Sequence, residues 1–296
     1  MKSVKVSIGM PVYNGAEFID QAIDSLLAQT HEDFELIISD NGSTDDTKEI
    51  CLSRVAKDPR IKFSQNETNL GVLKNFIKVL DLATADYFMW AAHDDVWEPE
   101  YVETLVAIME NDPEVIIAFA MFDAIDEFNQ MLVEYPTILA IPNDDLYQRL
   151  ANYIKQHERL GKANPFYSLM RREYTKRAFA AADHFLQNGV WASDMLFIFQ
   201  MLSLGKFAVA PQKLFHKRII TNTTSASASE DWQSYFNGYE ALIKQSEVLN
   251  REQKNKLLND VFRRRMLEQI KYPISILKQI KSRSVRQIKS TIKAFV

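Results

Sequence analysis

The chain has 296 residues, 47% apolar and 25% charged, with a net charge of −4, a balance that suits a large buried core in one or two domains. Its single cysteine, Cys51, excludes an internal disulfide and a cysteine-based metal site. Ten Lys/Arg and one Glu lie from Arg263 onward on an otherwise acidic body, which argues against the basic recognition surface of a nucleic-acid binder.

Short apolar runs that end in turn or acidic residues predict strands near 5–10, 34–39, 61–64, 86–91 and 115–121. Helices fit between them at 16–29, 44–57, 71–84 and 99–110. Ser43 and Thr44 followed by acidic residues suit a helix N-terminus, and Pro99 suits a first turn. Such alternation argues for a doubly wound α/β sheet. After about residue 122 it dissolves: 143–160 and 171–187 read as helices, Asp194–Leu204 as an apolar-periodic helix, Phe207–Ala210 as a strand ending at Pro211, and Thr221–Ser229 as a polar loop. Residues 231–296 read as all-helical. No apolar run approaches the roughly 18–20 residues needed to span a bilayer. The first residues pass straight into a strand with no leader, so a cytosolic protein is expected.

Two successive strands run into polar loops, Pro11-Val12-Tyr13-Asn14-Gly15 and Ser39-Asp40-Asn41-Gly42-Ser43-Thr44-Asp45. At the carboxyl ends of parallel strands, such a pair of loops makes a pocket of acceptors and backbone N–H groups suited to a nucleotide. Asp40 can accept an N–H from a base edge there, or order its own loop. Lys74, after Asn69-Leu70-Gly71, can neutralise phosphate as a point charge, or sit solvated on its helix. Asp94 and Asp95 follow the apolar run Tyr87–Ala91. Adjacent carboxylates repel, and a divalent cation that takes phosphate oxygens as further ligands relieves the repulsion.

These segments, together with Asn69-Leu70-Gly71, Lys74-Asn75 and Ala91-Ala92-His93-Asp94-Asp95-Val96-Trp97-Glu98-Pro99, resemble family 2 inverting glycosyltransferases of the GT-A type over roughly residues 4–225. The resemblance implies a GT-A doubly wound sheet over 1–225, with a nucleotide-binding half at 1–121 and an acceptor half at 122–225. A helical C-terminal extension would occupy 226–296. It also implies that Asp40 reads the uracil of a UDP-sugar between walls of Pro11, Val12 and Tyr13. Asn69 and Lys74 would lie near the nucleotide, and Asp94 with Asp95 would hold Mn²⁺ or Mg²⁺. His93 then occupies the middle of the family's Asp-x-Asp motif, and Ala92 stands where its first Asp would be. Asp194, at the head of an apolar helix, is the implied general base, with Ser193 where a Glu is common. Arg218, in His216-Lys217-Arg218, is placed to meet the diphosphate.

The expected activity is inverting transfer of a sugar from a nucleotide-sugar donor to a glycan or lipid-linked oligosaccharide hydroxyl, in polysaccharide biosynthesis. Two rivals stand beside it. A sugar nucleotidyltransferase would need a Gly-rich, basic first loop that this chain lacks, and Ala92 and Ser193 suggest a catalytically impaired nucleotide-sugar-binding protein. In the tail, Ile274, Leu277, Ile280, Ile288, Ile292 and Phe295 fall on one face among Lys and Arg. That pattern fits a peripheral contact with the inner face of a membrane, or a homo-oligomer or internal packing surface.

Overall fold

The structure, a computed structural model, describes residues 4–187, 191–220 and 230–269. Strands β1 (Val6–Val12) and β2 (Phe34–Asp40) are buried at every position, as parallel strands between helical layers must be. They pair with each other, with β3 (Ile61–Gln65) outside β2 and β4 (Tyr87–Trp90) outside β1, all in parallel. Helices α1 (Ile19–Leu27), α2 (Thr47–Val55) and α3 (Val72–Leu82) connect them. The carboxyl ends of all four strands therefore open on one edge.

Along the chain there follow β5 (Val96–Trp97), α4 (Tyr101–Asn111), β6 (Val115–Ile125), β7 (Met131–Glu134), α5 (Leu146–Lys155), β8 (Leu169–Arg171), α6 (Arg172–Gln187), α7 (Ser193–Leu204) and β9 (Lys206–Arg218). The sheet order is β3-β2-β1-β4-β8-β6-β9-β5, with β7 beside β6. β8 runs antiparallel to β4 and β6, and β9 returns parallel to β6. Strands β5, β7 and β8 were not expected; at two to four residues they are too short to carry a period.

β9 departs furthest from expectation, running on through Pro211 to Arg218. Ala210 pairs with Ala120, and the next partners are Lys213 and Met121. Pro211, which has no N–H to donate, sits in the bulge between them, and the ladder resumes. Lys217 and Arg218 thereby lie beside Ala124 and Ile125 of β6. Helix α2 starts at Thr47 with no side-chain cap, because Ser43 and Thr44 are turned to Asp40 and Asn14. Helix α4 starts at Tyr101 rather than at Pro99.

Trp90 is fully buried and joins three helices: Phe76 of α3, Phe179 of α6 and Phe197 of α7 surround it, and Phe166 stacks on it at 4.5 Å. Cys51 is buried and burial pushes its thiol up to about 12, so it packs as an inert apolar group. Helices α8 (Trp232–Gln245) and α9 (Arg251–Gln269) pack on α7 and α5. A Cβ on Gly238 would come within 2.4 Å of Leu196, which is how closely α8 approaches α7. Arg264 of α9 bridges the buried Glu158 and Glu268, and Glu158 also pairs with Lys162 at 3.1 Å. No helix among the described residues is long and apolar enough to cross a membrane. The apolar face expected from Ile274 to Phe295 lies outside the described residues, as does the Thr221–Ser229 loop.

Candidate functional site

The loops after β1 and β2 are tied together. Asn14, held at φ 50°, donates its N–H to Ser43 Oγ at 2.8 Å and accepts the Thr44 N–H at 2.9 Å. Gly15 and Ala16 donate to Thr47 Oγ1 and Asp45 Oδ2 at 2.9 and 3.0 Å. A buried asparagine set anchors the next loop. Asn41 accepts from Asn66 and the Leu70 N–H at 2.9 Å each and donates to Asn69 at 2.8 Å. Asn75 takes the Ser39 hydroxyl at 2.7 Å. Asn69 also accepts the Gly71 N–H at 2.8 Å, so its amide oxygen shapes the loop.

Val12, Asp40 and Gln65 lie level across β1, β2 and β3 at this edge. Pro11 and Val12 are buried, while Tyr13 presents a ring 44% exposed. Asp40 is 0% exposed. Its Oδ1 accepts from Ser43 N–H and Oγ at 2.9 and 2.5 Å, and its Oδ2 from Gln65 Nε2 at 2.8 Å. The carboxylate expected to meet a base is thus covered by Gln65. Lys74 is exposed on the first turns of α3.

Past β4 the chain places His93, Asp94 and Asp95. His93 is half-buried with its ring against Gly15, where an added Cβ would lie 2.5 Å from it, and burial lowers the imidazole's pKa, keeping it neutral. Asp95 is 0% exposed; it accepts from Lys217 Nζ at 3.2 Å and from the Arg218 N–H at 2.9 Å. Burial raises the Asp95 pKa and Lys217 opposes the rise. Both oxygens receive N–H donors, so the pair is ionised. Asp95 is therefore spent inside the protein, and Asp94 alone of the expected metal pair is left open: its carboxylate has no hydrogen bond or ion pair to another described residue. Lys217→Met would leave Asp95 buried and unpaired. The expected loss is about 3–5 kcal/mol in urea unfolding, partly recovered by adding Asp95→Leu; an unchanged midpoint would contradict the pairing.

Arg218 also differs from expectation. Its Nε donates to Asp94 O at 2.8 Å, Nη1 to Asp126 O at 2.6 Å, and Nη2 to Gln21 and Asn129 at 2.8 and 2.7 Å. With the guanidinium also over the Phe18 ring at 4.7 Å, it ties the loops after β4 and β6 to the start of α1, and four of its five N–H groups are taken up within the protein. The sequence reading missed Lys217 and the bridge made by His216, whose ring nitrogens meet Asp123 at 2.6 Å and Glu98 at 2.9 Å.

Asp194 lies half-buried at the start of α7, after Ala192 in the left-handed region at φ 59°. Its Oδ1 accepts the Met195 N–H at 2.8 Å, and burial pushes its carboxyl up to about 6. Tyr167 lies under Lys217, whose Nζ sits 5.1 Å from its ring centroid. Burial pushes that phenol up to about 12, with Lys217 opposing and Asp95, Asp94 and Asp194 adding to the rise.

An open carboxylate beside a neutral imidazole fits a divalent cation that draws its remaining ligands from phosphate and water. The one three-residue group of potential ligands among the described residues, His157, Glu158 and Glu268, already has Arg264 between its carboxylates.

The family model described as glycosyl transferase family 2 matches residues 7–179. An uncharacterised glycosyltransferase of Rickettsia typhi is 36% identical over 129 residues, 43% of this chain and 39% of its own length. The chain thus spans about two fifths of that relative. One from Nostoc is 28% identical over 236 residues, covering 78% of this chain and 70% of its own. Among solved structures, S. aureus TarS 1–349 in complex with UDP-GlcNAc superposes with a TM-score of 0.65 at 18% identity, over 93% of this chain and 78% of that one. The Pyrobaculum calidifontis mannosyltransferase PcManGT, in complex with GDP-Man and Mn²⁺, gives 0.58 at 14% identity, over 100% and 85%. The fold is GT-A, as expected.

Proposed function

The chain belongs to glycosyl transferase family 2, and from that premise we propose that it moves a sugar from a UDP-linked donor to a hydroxyl of a glycan or lipid-linked oligosaccharide, with inversion. The observation that carries this reading is the open carboxylate of Asp94, just past the end of β4 and on the edge where the polar loops after β1 and β2 meet; Asp194, its carboxyl pushed up to about 6 by burial, supplies the base. A base poised near neutrality can take a hydroxyl proton. Asp194 accepts that proton as the acceptor oxygen bonds to the anomeric carbon. The bond from that carbon to the diphosphate breaks on the opposite side, and its electron pair leaves with the diphosphate. A divalent cation held through Asp94 would supply counter-charge to that leaving group. Tyr13 offers a ring for the base to stack on, and Lys74 a point charge near the phosphates.

Incubation with Mn²⁺ and a set of UDP-sugars tests this reading. Release of UDP supports it. Pyrophosphate release from UTP and a sugar 1-phosphate, offered in a parallel incubation, would instead indicate a nucleotidyltransferase, and binding without turnover an impaired binder.

A further inference from the structure

We propose that the outer face of the last two turns of α9, with the basic sequence that follows it, docks on an anionic lipid surface.

Helix α9 is two-sided. Leu257, Val261 and Arg264 are buried on the side that packs against α5 and α8. Both acids of its second half belong to that side: Asp260 is 8% exposed, and Glu268 is held by Arg264. Arg264 also bridges the buried Glu158, so α9 is fixed to the body and whatever holds its outer face holds the whole protein. That outer face carries Asn255, Asn259, Phe262, Arg263, Met266 and Leu267, all exposed. Phe262 is 60% exposed, Met266 42% and Leu267 47%. Residues 262 and 266, and 263 and 267, stand one turn apart, so three apolar side chains and one guanidinium form a single stripe. A lone exposed apolar residue is ordinary, whereas a contiguous group marks a surface that something covers.

Charge and the sequence beyond the stripe say what covers it. Residues 270–296 hold seven Lys/Arg and no Asp or Glu, on a chain whose net charge is −4. Apolar residues recur among those cations at Ile274, Leu277, Ile280, Ile288, Ile292 and Phe295. Phe262, Met266 and Leu267 thus open a pattern, apolar and basic together, that the sequence continues. A lipid surface takes both halves of it: the acyl boundary receives the apolar side chains, and anionic headgroups the cations. A second copy of the chain fits poorly, because a two-fold pairing of this face would set Arg263 and the basic sequence against their own equivalents.

The test is co-sedimentation of the full chain with phosphatidylcholine vesicles, with and without about a third phosphatidylserine. At about 0.05 M NaCl, wild type is expected to partition at least about tenfold more strongly onto the anionic vesicles. At about 1 M, where the Debye length falls to about 3 Å, that preference should collapse. Replacing the stripe (Phe262→Gln, Met266→Gln, Leu267→Gln) should weaken the binding at least about tenfold, since the affinity scales with apolar area buried. Lys278→Gln, Lys281→Gln, Arg283→Gln and Arg286→Gln together should weaken it at least as much. The stripe residues are exposed, so the urea midpoint of that variant should match wild type. Wild type left in the supernatant at low salt, or bound equally to both vesicles, would overturn the proposal. Undiminished binding by either variant would do the same. A wild type that runs without lipid at twice its 34.2 kDa, and as a monomer once the stripe is replaced, would make this face an interface between copies instead.

Discussion

Asp194→Asn is expected to lower UDP-sugar turnover about 10²–10⁴-fold while leaving UDP affinity within about twofold. The amide keeps the shape and the oxygen that accepts the Met195 N–H, so the head of α7 stays in place. What goes is the ability to accept a proton. The pH dependence has a definite sign. Burial pushes the Asp194 carboxyl up to about 6, and only its ionised form is a base. Turnover by wild type should therefore rise with pH through about 6 and level off above it. In Asp194→Asn that limb should vanish. A variant that keeps the limb, or that loses UDP binding with its fold intact, would remove Asp194 from the reaction.

The second large effect is expected at Asp94. Its carbonyl oxygen, a backbone atom, accepts from Arg218 Nε at 2.8 Å, so Asp94→Ala leaves the clamp standing and removes only the open carboxylate. Turnover should fall at least about 10²-fold, the scale for losing a group that stabilises developing charge. UDP affinity should drop in Mn²⁺ and change little in EDTA. Excess EDTA should silence the wild type to the level of the variant. Undiminished turnover in EDTA would exclude a metal-dependent leaving group.

The first hundred residues were the legible part of the sequence, since short apolar runs ending in Asp or Asn fix both the strands and the edge on which their loops meet. Asp94 could be singled out there because it follows an apolar run; Asp194, in the less regular half, stood out only through the family resemblance at the head of an apolar helix. Lys217 could not be, because a cation after a strand reads as loop, and only the bulge at Pro211 carries β9 far enough to bury it against Asp95. The same extension turned Arg218 from an expected phosphate contact into a clamp on Asp126, Gln21 and Asn129. Gln65 had no signal at all: nothing in an exposed amide at a strand end tells that it covers the buried Asp40 carboxylate. The short strands β5 and β8 owe their pairing to partners distant in the chain, which no local period records, while β7 is a short hairpin return on β6.

The measurement closest to the central claim is proton NMR of wild type turning over α-linked UDP-glucose, UDP-galactose and their N-acetyl forms in Mn²⁺, with water as the acceptor. A single displacement by an oxygen that Asp194 deprotonates predicts UDP and, before mutarotation, the β-anomer of the free sugar from at least one donor. Initial release of the α-anomer, or no cleavage of any of the four, would contradict the account.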